Sequence, residues 1–159
     1  MQSYPKQFVV KIKVRMKIDA PRERVWETIS DSDNDKFFWR GITSIRNLSR
    51  NENTLIRQIV LGKGLPCLQM VTTWPMEKIR TEWVDGVIDG TREIVLVSMG
   101  KTTLLEIQMN YEFPGVGASD SKSLAKLFQN EAGLAVDLIK RKSEEFYSDS
   151  DFAKIQWVN

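Results

Sequence analysis

Histidine is missing from this sequence, and cysteine occurs once, at Cys67. Without histidine, the commonest general base near neutral pH and the commonest zinc ligand are both unavailable, which argues against most hydrolytic and metal-dependent mechanisms. A lone thiol makes no internal disulfide, and the opening Met1-Gln2-Ser3-Tyr4-Pro5-Lys6 lacks the basic-then-apolar layout of a secretion signal, so the expected compartment is the cytoplasm. No apolar run approaches the ~20 residues that a spanning helix needs, and no stable membrane insertion is expected. Charge of one sign is scarce as well. The 23 lysines and arginines against 21 aspartates and glutamates leave +2, too little to imply a nucleic-acid partner, which takes many cations on one surface.

What is present is a large apolar and aromatic load. Hydrophobic residues make up 42% of the chain and five tryptophans are included, which excludes a disordered or fibrous chain. At 159 residues the expectation is one domain over 1–159, with its core at about 8–147 and a C-terminal tail at 148–159.

Residues 8 to 18 alternate strictly, with Phe8, Val10, Ile12, Val14, Met16 and Ile18 on one face and Lys11, Lys13, Arg15 and Lys17 on the other, which predicts a long half-buried strand. Asp19-Ala20-Pro21 stops it and opens a helix whose apolar stripe is Val25, Trp26 and Ile29. A short second helix is expected over 33–39. From Ile42 the period returns to two, in segments near 42–48, 54–61, 67–74, 80–85, 91–98 and 102–113, separated by short turn-rich breaks. Connections that short require antiparallel pairing. After Pro114-Gly115 a single long helix is expected over about 119–147, ended by the acidic, serine-rich stretch 148–151. The fold class is therefore α+β, and a helix laid across a concave sheet leaves room for a cavity beneath it.

That element order, with Ile18-Asp19-Ala20-Pro21-Arg22-Glu23-Arg24-Val25-Trp26-Glu27-Thr28-Ile29-Ser30-Asp31, Trp39, Ile42 and the late turn Gly100-Lys101-Thr102, resembles the START/birch-pollen-allergen superfamily, also called SRPBCC or polyketide-cyclase-like. The resemblance covers about 8–147. It implies a helix-grip fold: a curved seven-stranded antiparallel sheet wrapped around a long C-terminal helix, with two short helices after the first strand. It further implies an internal pocket for lipid-, sterol-, polyketide- or quinone-like molecules. Only some members catalyse a reaction, and one branch activates a chaperone. In such a sheet the first strand pairs with the last, so the basic stripe Lys11, Lys13, Arg15 and Lys17 is expected to meet Glu106, Gln108 and Glu112 across a solvated face.

Two motif-like segments carry nothing. Asp31-Ser32-Asp33-Asn34-Asp35 opens like a calcium loop, but Lys36 and Ile42 occupy the positions that need glycine and glutamate, and capping explains the run. Gly62-Lys63-Gly64 lies between strands and lacks the phosphate-loop continuation.

The most informative position is on the last helix. At 100° per residue, Leu124, Leu127, Phe128, Leu134, Ala135, Leu138, Ile139 and Phe146 fall on an arc of about 140°, with Glu131 in its middle. A carboxylate there needs a partner. Arg57, alternating with Leu55 and Ile59, is the candidate. Two readings stay open: Glu131 orients a ligand in an apolar pocket, or it makes a structural ion pair or sees water where the helix lifts off. Trp83 and, from the inward parity of the last strand, Ile107, Met109 and Tyr111 complete the expected lining, with Leu127, Phe128, Leu134, Ala135 and Leu138 from the helix. The expected function is binding of a hydrophobic or amphipathic small molecule by a monomer or homodimer, without cofactor or metal. The alternatives are a cyclase- or dehydratase-like enzyme with Glu131 as acid and base, and a chaperone-activator-like interaction module in which the surface and the apolar tail 152–158 matter more than the pocket. No catalytic constellation is evident, so the balance leans away from an enzyme.

Overall fold

The computed structural model describes the backbone of residues 9–158, and side chains over the same span except at 118 and 146–158. The chain runs β1 (Val9–Ile18), α1 (Arg22–Ile29), a single 3-10 turn (Ser32–Asn34), α2 (Asp35–Phe38), then β2 (Ile42–Asn51), β3 (Thr54–Leu61), β4 (Leu65–Trp74), β5 (Lys78–Asp85), β6 (Asp89–Ser98), β7 (Thr103–Glu112) and α3 (Ala118–Val158). The seven strands form one antiparallel sheet in the order β1-β7-β6-β5-β4-β3-β2, with bulges in β2 and β5 that bend it. This is the expected helix-grip architecture.

Alternation decides the faces. Val10, Ile12 and Ile18 of β1 are buried while Lys11, Lys13, Arg15 and Lys17 are exposed. β1 pairs with β7, and the basic stripe meets acid across that seam: Lys13 and Arg15 reach Glu106 at 3.6 and 3.0 Å. Glu112 instead faces Val9 in the register. The acidic run after α1 is capping chemistry. Asp31 accepts from the Asp33 backbone N–H at 3.0 Å, and among the described residues no acidic or thiol cluster is arranged to hold a metal. Cys67 is buried, which pushes its thiol pKa up and leaves it an unreactive core residue.

α3 lies against the β1–α1 corner and is tied there by hydrogen bonds: the Asp19 N–H to Glu144 at 2.7 Å, the Ser143 hydroxyl to Thr28 Oγ1 at 3.0 Å, and Lys140 Nζ to the Lys17 carbonyl at 3.1 Å. Its sheet-facing side departs from expectation. The buried line is Ser121, Phe128, Ala132, Ala135, Val136, Ile139 and Ser143, whereas Leu127 and Leu134 are 59% and 45% exposed. The centre of contact is Ala132 and not Glu131, a rotation of one residue or about 100°. Small side chains let the helix axis approach the sheet, and the leucines fall on its flank.

α3 is also longer than expected. Its 41 residues extend about 60 Å at 1.5 Å per residue. The stretch 148–151 does not end it, since serine and aspartate are tolerated inside a helix and neither glycine nor proline is there. The side chains of the tail 152–158 lie outside the described residues, so the role expected of it is untouched by the structure. No helix among the described residues is long and apolar enough to cross a membrane.

Candidate functional site

The α2–β2 link and four strands converge on one flank of α3. The link between α2 and β2 brings Trp39, Gly41 and Ile42. The ends of β3, β5, β6 and β7 bring Leu61, Trp83, Arg92, Met109 and Tyr111. The helix contributes Phe128 and Glu131. Most of these enclose a nearly closed space of about 10 Å³, which holds no more than one water molecule. Beside it lies an open apolar groove of about 260 Å³, formed by Gly41, Leu61, Gly62, Leu65, Val87, Ile88, Phe113, Val116, Leu124, Leu127, Phe128 and Glu131. Leu61, Phe128 and Glu131 border both. Among the described residues the space beneath this flank of the helix is therefore small. The room lies at the mouth.

Aromatic packing explains the closure. Tyr111 stands edge-on to Trp83 (centroids 5.8 Å apart, 89°) and to Phe128 (5.3 Å, 84°), and Phe128 stacks on Phe113 at 5.8 Å and 13°. Such contacts each add about 0.5–1.5 kcal/mol beyond area burial.

Arg57 points inward with Leu55 and Ile59 and is fully buried, but it does not pair with Glu131. Its Nε donates to Gln69 Oε1 at 2.9 Å, one terminal nitrogen to the Ser32 carbonyl at 3.0 Å, and the other to Asp35 Oδ2 at 2.8 Å. Asp35 comes from α2, a nearer partner than any group on α3. Arg92, 4% exposed, is the cation beside Glu131. Its guanidinium lies over Trp39 at 3.9 Å, and one nitrogen is 3.5 Å from Asp35. Sequence reasoning passed over Arg92, although Arg92, Ile94 and Leu96 share one parity in β6 and all three are buried.

Glu131 accepts a hydrogen bond from the Gly41 N–H at 3.0 Å. A side chain on residue 41 would meet the two carboxylate oxygens at 3.0 and 3.1 Å, so glycine permits this contact. Burial raises the Glu131 pKa, against the opposing pull of the Gly41 N–H and the Arg92 charge. Burial likewise raises Tyr111, opposed by the Arg92 charge and by the polar N–H groups of Trp83 and Arg92 beside its hydroxyl. Folded Glu131 therefore holds its proton to higher pH than the unfolded chain does, and stability falls as pH rises through that window. Glu131→Gln removes the ionisation and keeps an acceptor for Gly41. It is expected to exceed the native chain in urea midpoint at pH 8 and to lose that advantage near pH 4. An advantage of equal size at both pH values would contradict this account.

Of the other expected lining residues, Ile107 and Ala135 are wholly buried in the core and border neither space. Leu134 lies on the exposed flank. Leu138 lines a separate open cleft of about 630 Å³ with Glu27, Thr28, Asn34, Phe37, Phe38, Arg141, Lys142 and Glu145. That cleft is the larger, but its rim carries charges of both signs, and none of its lining residues holds a buried unpartnered side-chain atom. The closed space has two such donors, Trp83 Nε1 and Arg92 Nε, and Gln69 Nε2 lies behind them in the Arg57 network. Polar groups left unpaired at the end of an apolar groove mark the inner flank as the better site.

The chain has a helix-grip fold, with an apolar groove beside a buried polar cluster. No family model matches the sequence, and no curated protein matches it. Solved structures do. An aromatase/cyclase from a Streptomyces species aligns with a TM-score of 0.75 at 11% identity, covering 86% of this chain and 94% of that one. A START superfamily protein from Mycobacterium smegmatis aligns at 0.67 and 17%, covering 84% and 98%. Thalictrum flavum norcoclaurine synthase, solved with a transition-state analogue, aligns at 0.67 and 12%, covering 91% and 99%.

Proposed function

We propose that this protein binds a small, largely apolar molecule in the groove between the α3 flank and the β3–β4 and β5–β6 turns. Glu131, Trp83, Tyr111, Met109, Phe128 and Leu127 take part, and Leu61 and Arg92 join them. The observation that carries the reading is an apolar groove that shares Leu61, Phe128 and Glu131 with a closed space lined by unpartnered donors. At about 260 Å³ the groove sits just below the ~300–1,000 Å³ usual for small-molecule sites, which favours ligands smaller than a sterol. Native mass spectrometry of the freshly purified protein, followed by denaturing extraction, tests it. A defined apolar adduct released on unfolding supports the proposal. A clean mass, together with no saturable thermal stabilisation by apolar compounds, removes it.

A proton-transfer role is favoured by one observation, the raised pKa of a carboxyl group placed where groove and closed space meet. Two of the similar structures are enzymes by name, the aromatase/cyclase and the synthase. In this reading Glu131→Gln leaves ligand binding intact and abolishes turnover.

A further inference from the structure

Resting on the groove-binding reading, we infer that the ligand carries an uncharged carbonyl oxygen, which enters the closed space and accepts hydrogen bonds from Trp83 Nε1 and Arg92 Nε. Trp83 and Arg92 are 7% and 4% exposed, both line this space, and each has a side-chain N–H without a hydrogen bond of normal length and angle; the Tyr111 hydroxyl beside them interacts with both side chains but leaves these two N–H groups outside hydrogen-bonding geometry. A buried donor without an acceptor is costly, and an indole nitrogen only donates. The missing group is therefore an acceptor. A space of about 10 Å³ admits one oxygen and little else, while the groove next to it accommodates the apolar body.

Charge balance decides what kind of oxygen fits. Arg92 and Glu131 border the space, and Asp35 and Arg57 stand behind Arg92 in one linked cluster, two cations and two anions. A carboxylate ligand would add a third negative charge in a largely dehydrated site, beside Glu131. A ketone or similar carbonyl leaves the balance at zero.

Three naphthalenes of matched shape separate the possibilities at pH 8: 2-acetylnaphthalene, 2-isopropylnaphthalene and 2-naphthoate, titrated calorimetrically against the native chain and Trp83→Phe. The ketone is expected to bind the native chain roughly tenfold more tightly than the hydrocarbon, and more tightly than the carboxylate. In Trp83→Phe the ketone and hydrocarbon should converge to within about twofold, with hydrocarbon binding retained. The indole N–H proton resonance that disappears in Trp83→Phe should move on addition of ketone to the native chain and stay in place with hydrocarbon. Equal affinity for ketone and hydrocarbon would overturn the inference while leaving groove binding intact, and preference for the carboxylate would overturn the charge argument. Failure of all three to bind would instead remove the groove reading.

Discussion

Arg57→Met is expected to lower the unfolding free energy by about 3–5 kcal/mol, the usual cost of removing one member of a buried, hydrogen-bonded ion pair. Arg57 has no exposed surface and makes three hydrogen bonds, to Gln69, Ser32 and Asp35. Methionine fills much of the same volume, so the loss reads polar groups left behind rather than a void. Asp35 would keep only the 3.5 Å contact with Arg92. Gln69, whose Nε2 already lacks a partner, would lose its oxygen's partner too. Urea unfolding measures the loss, and a cost below about 1 kcal/mol would mean that the network is dispensable. Pairing Arg57→Met with Asp35→Asn in a double-mutant cycle should give a coupling of about 0.5–3 kcal/mol. The consequence reaches the site. Arg57 anchors the 3-10 turn and α2 to β3, and the chain leaving α2 carries Trp39, Gly41 and Ile42 to the closed space.

The same residue shows what the sequence could and could not disclose. Alternation placed Arg57 on one face with Leu55 and Ile59 but left open which face that is, because a strand with one buried face has two phases; the structure buries all three. Alternation also matched the Lys13 and Arg15 stripe to Glu106 once β1 was placed beside β7. The partner of Arg57 was not legible, because Asp35 and Glu131 are both acidic and only the three-dimensional path of α2 brings the first within reach. The phase of α3 was misread for a different reason. Leucines suggest a buried face, but here Ala132, Ala135 and Ser143 make the close contact, and Leu127 and Leu134 are left on the flank. A one-residue error in phase moved Glu131 from the groove edge to the supposed centre. The filled interior depends on ring orientations that no periodicity encodes.

Gly90→Ala is the second change expected to have a large effect, a loss of several kcal/mol or failure to fold. Gly90 has φ +134°, a conformation that side chains rarely adopt, and a Cβ built there would lie 1.9 Å from the Asn110 carbonyl oxygen and 3.0 Å from the Tyr111 Cα. The obstacle is backbone in the adjacent strand, so no rotamer change relieves it. Either β6 and β7 separate, or their pairing shifts. Gly90 sits between Trp83 of β5 and Tyr111 of β7 in the register, and the edge-on contact between those two rings spans the position where it has no side chain. A strand that parts there loses ladder hydrogen bonds and the ring contact together. Strain at a special backbone position costs about 1–3 kcal/mol alone, and the displaced ladder and aromatic contact add to it. Gly62→Ala is the matched control: its φ is +55° and a Cβ there meets nothing within 4 Å, so it reports conformational strain without the clash. Thermal unfolding of the two variants should therefore differ widely, with Gly62→Ala losing about 1–2 kcal/mol, typical of a non-glycine residue in that region. If both lose the same small amount, β6 and β7 yield at Gly90, and the glycine is not what allows Trp83 and Tyr111 to close the space.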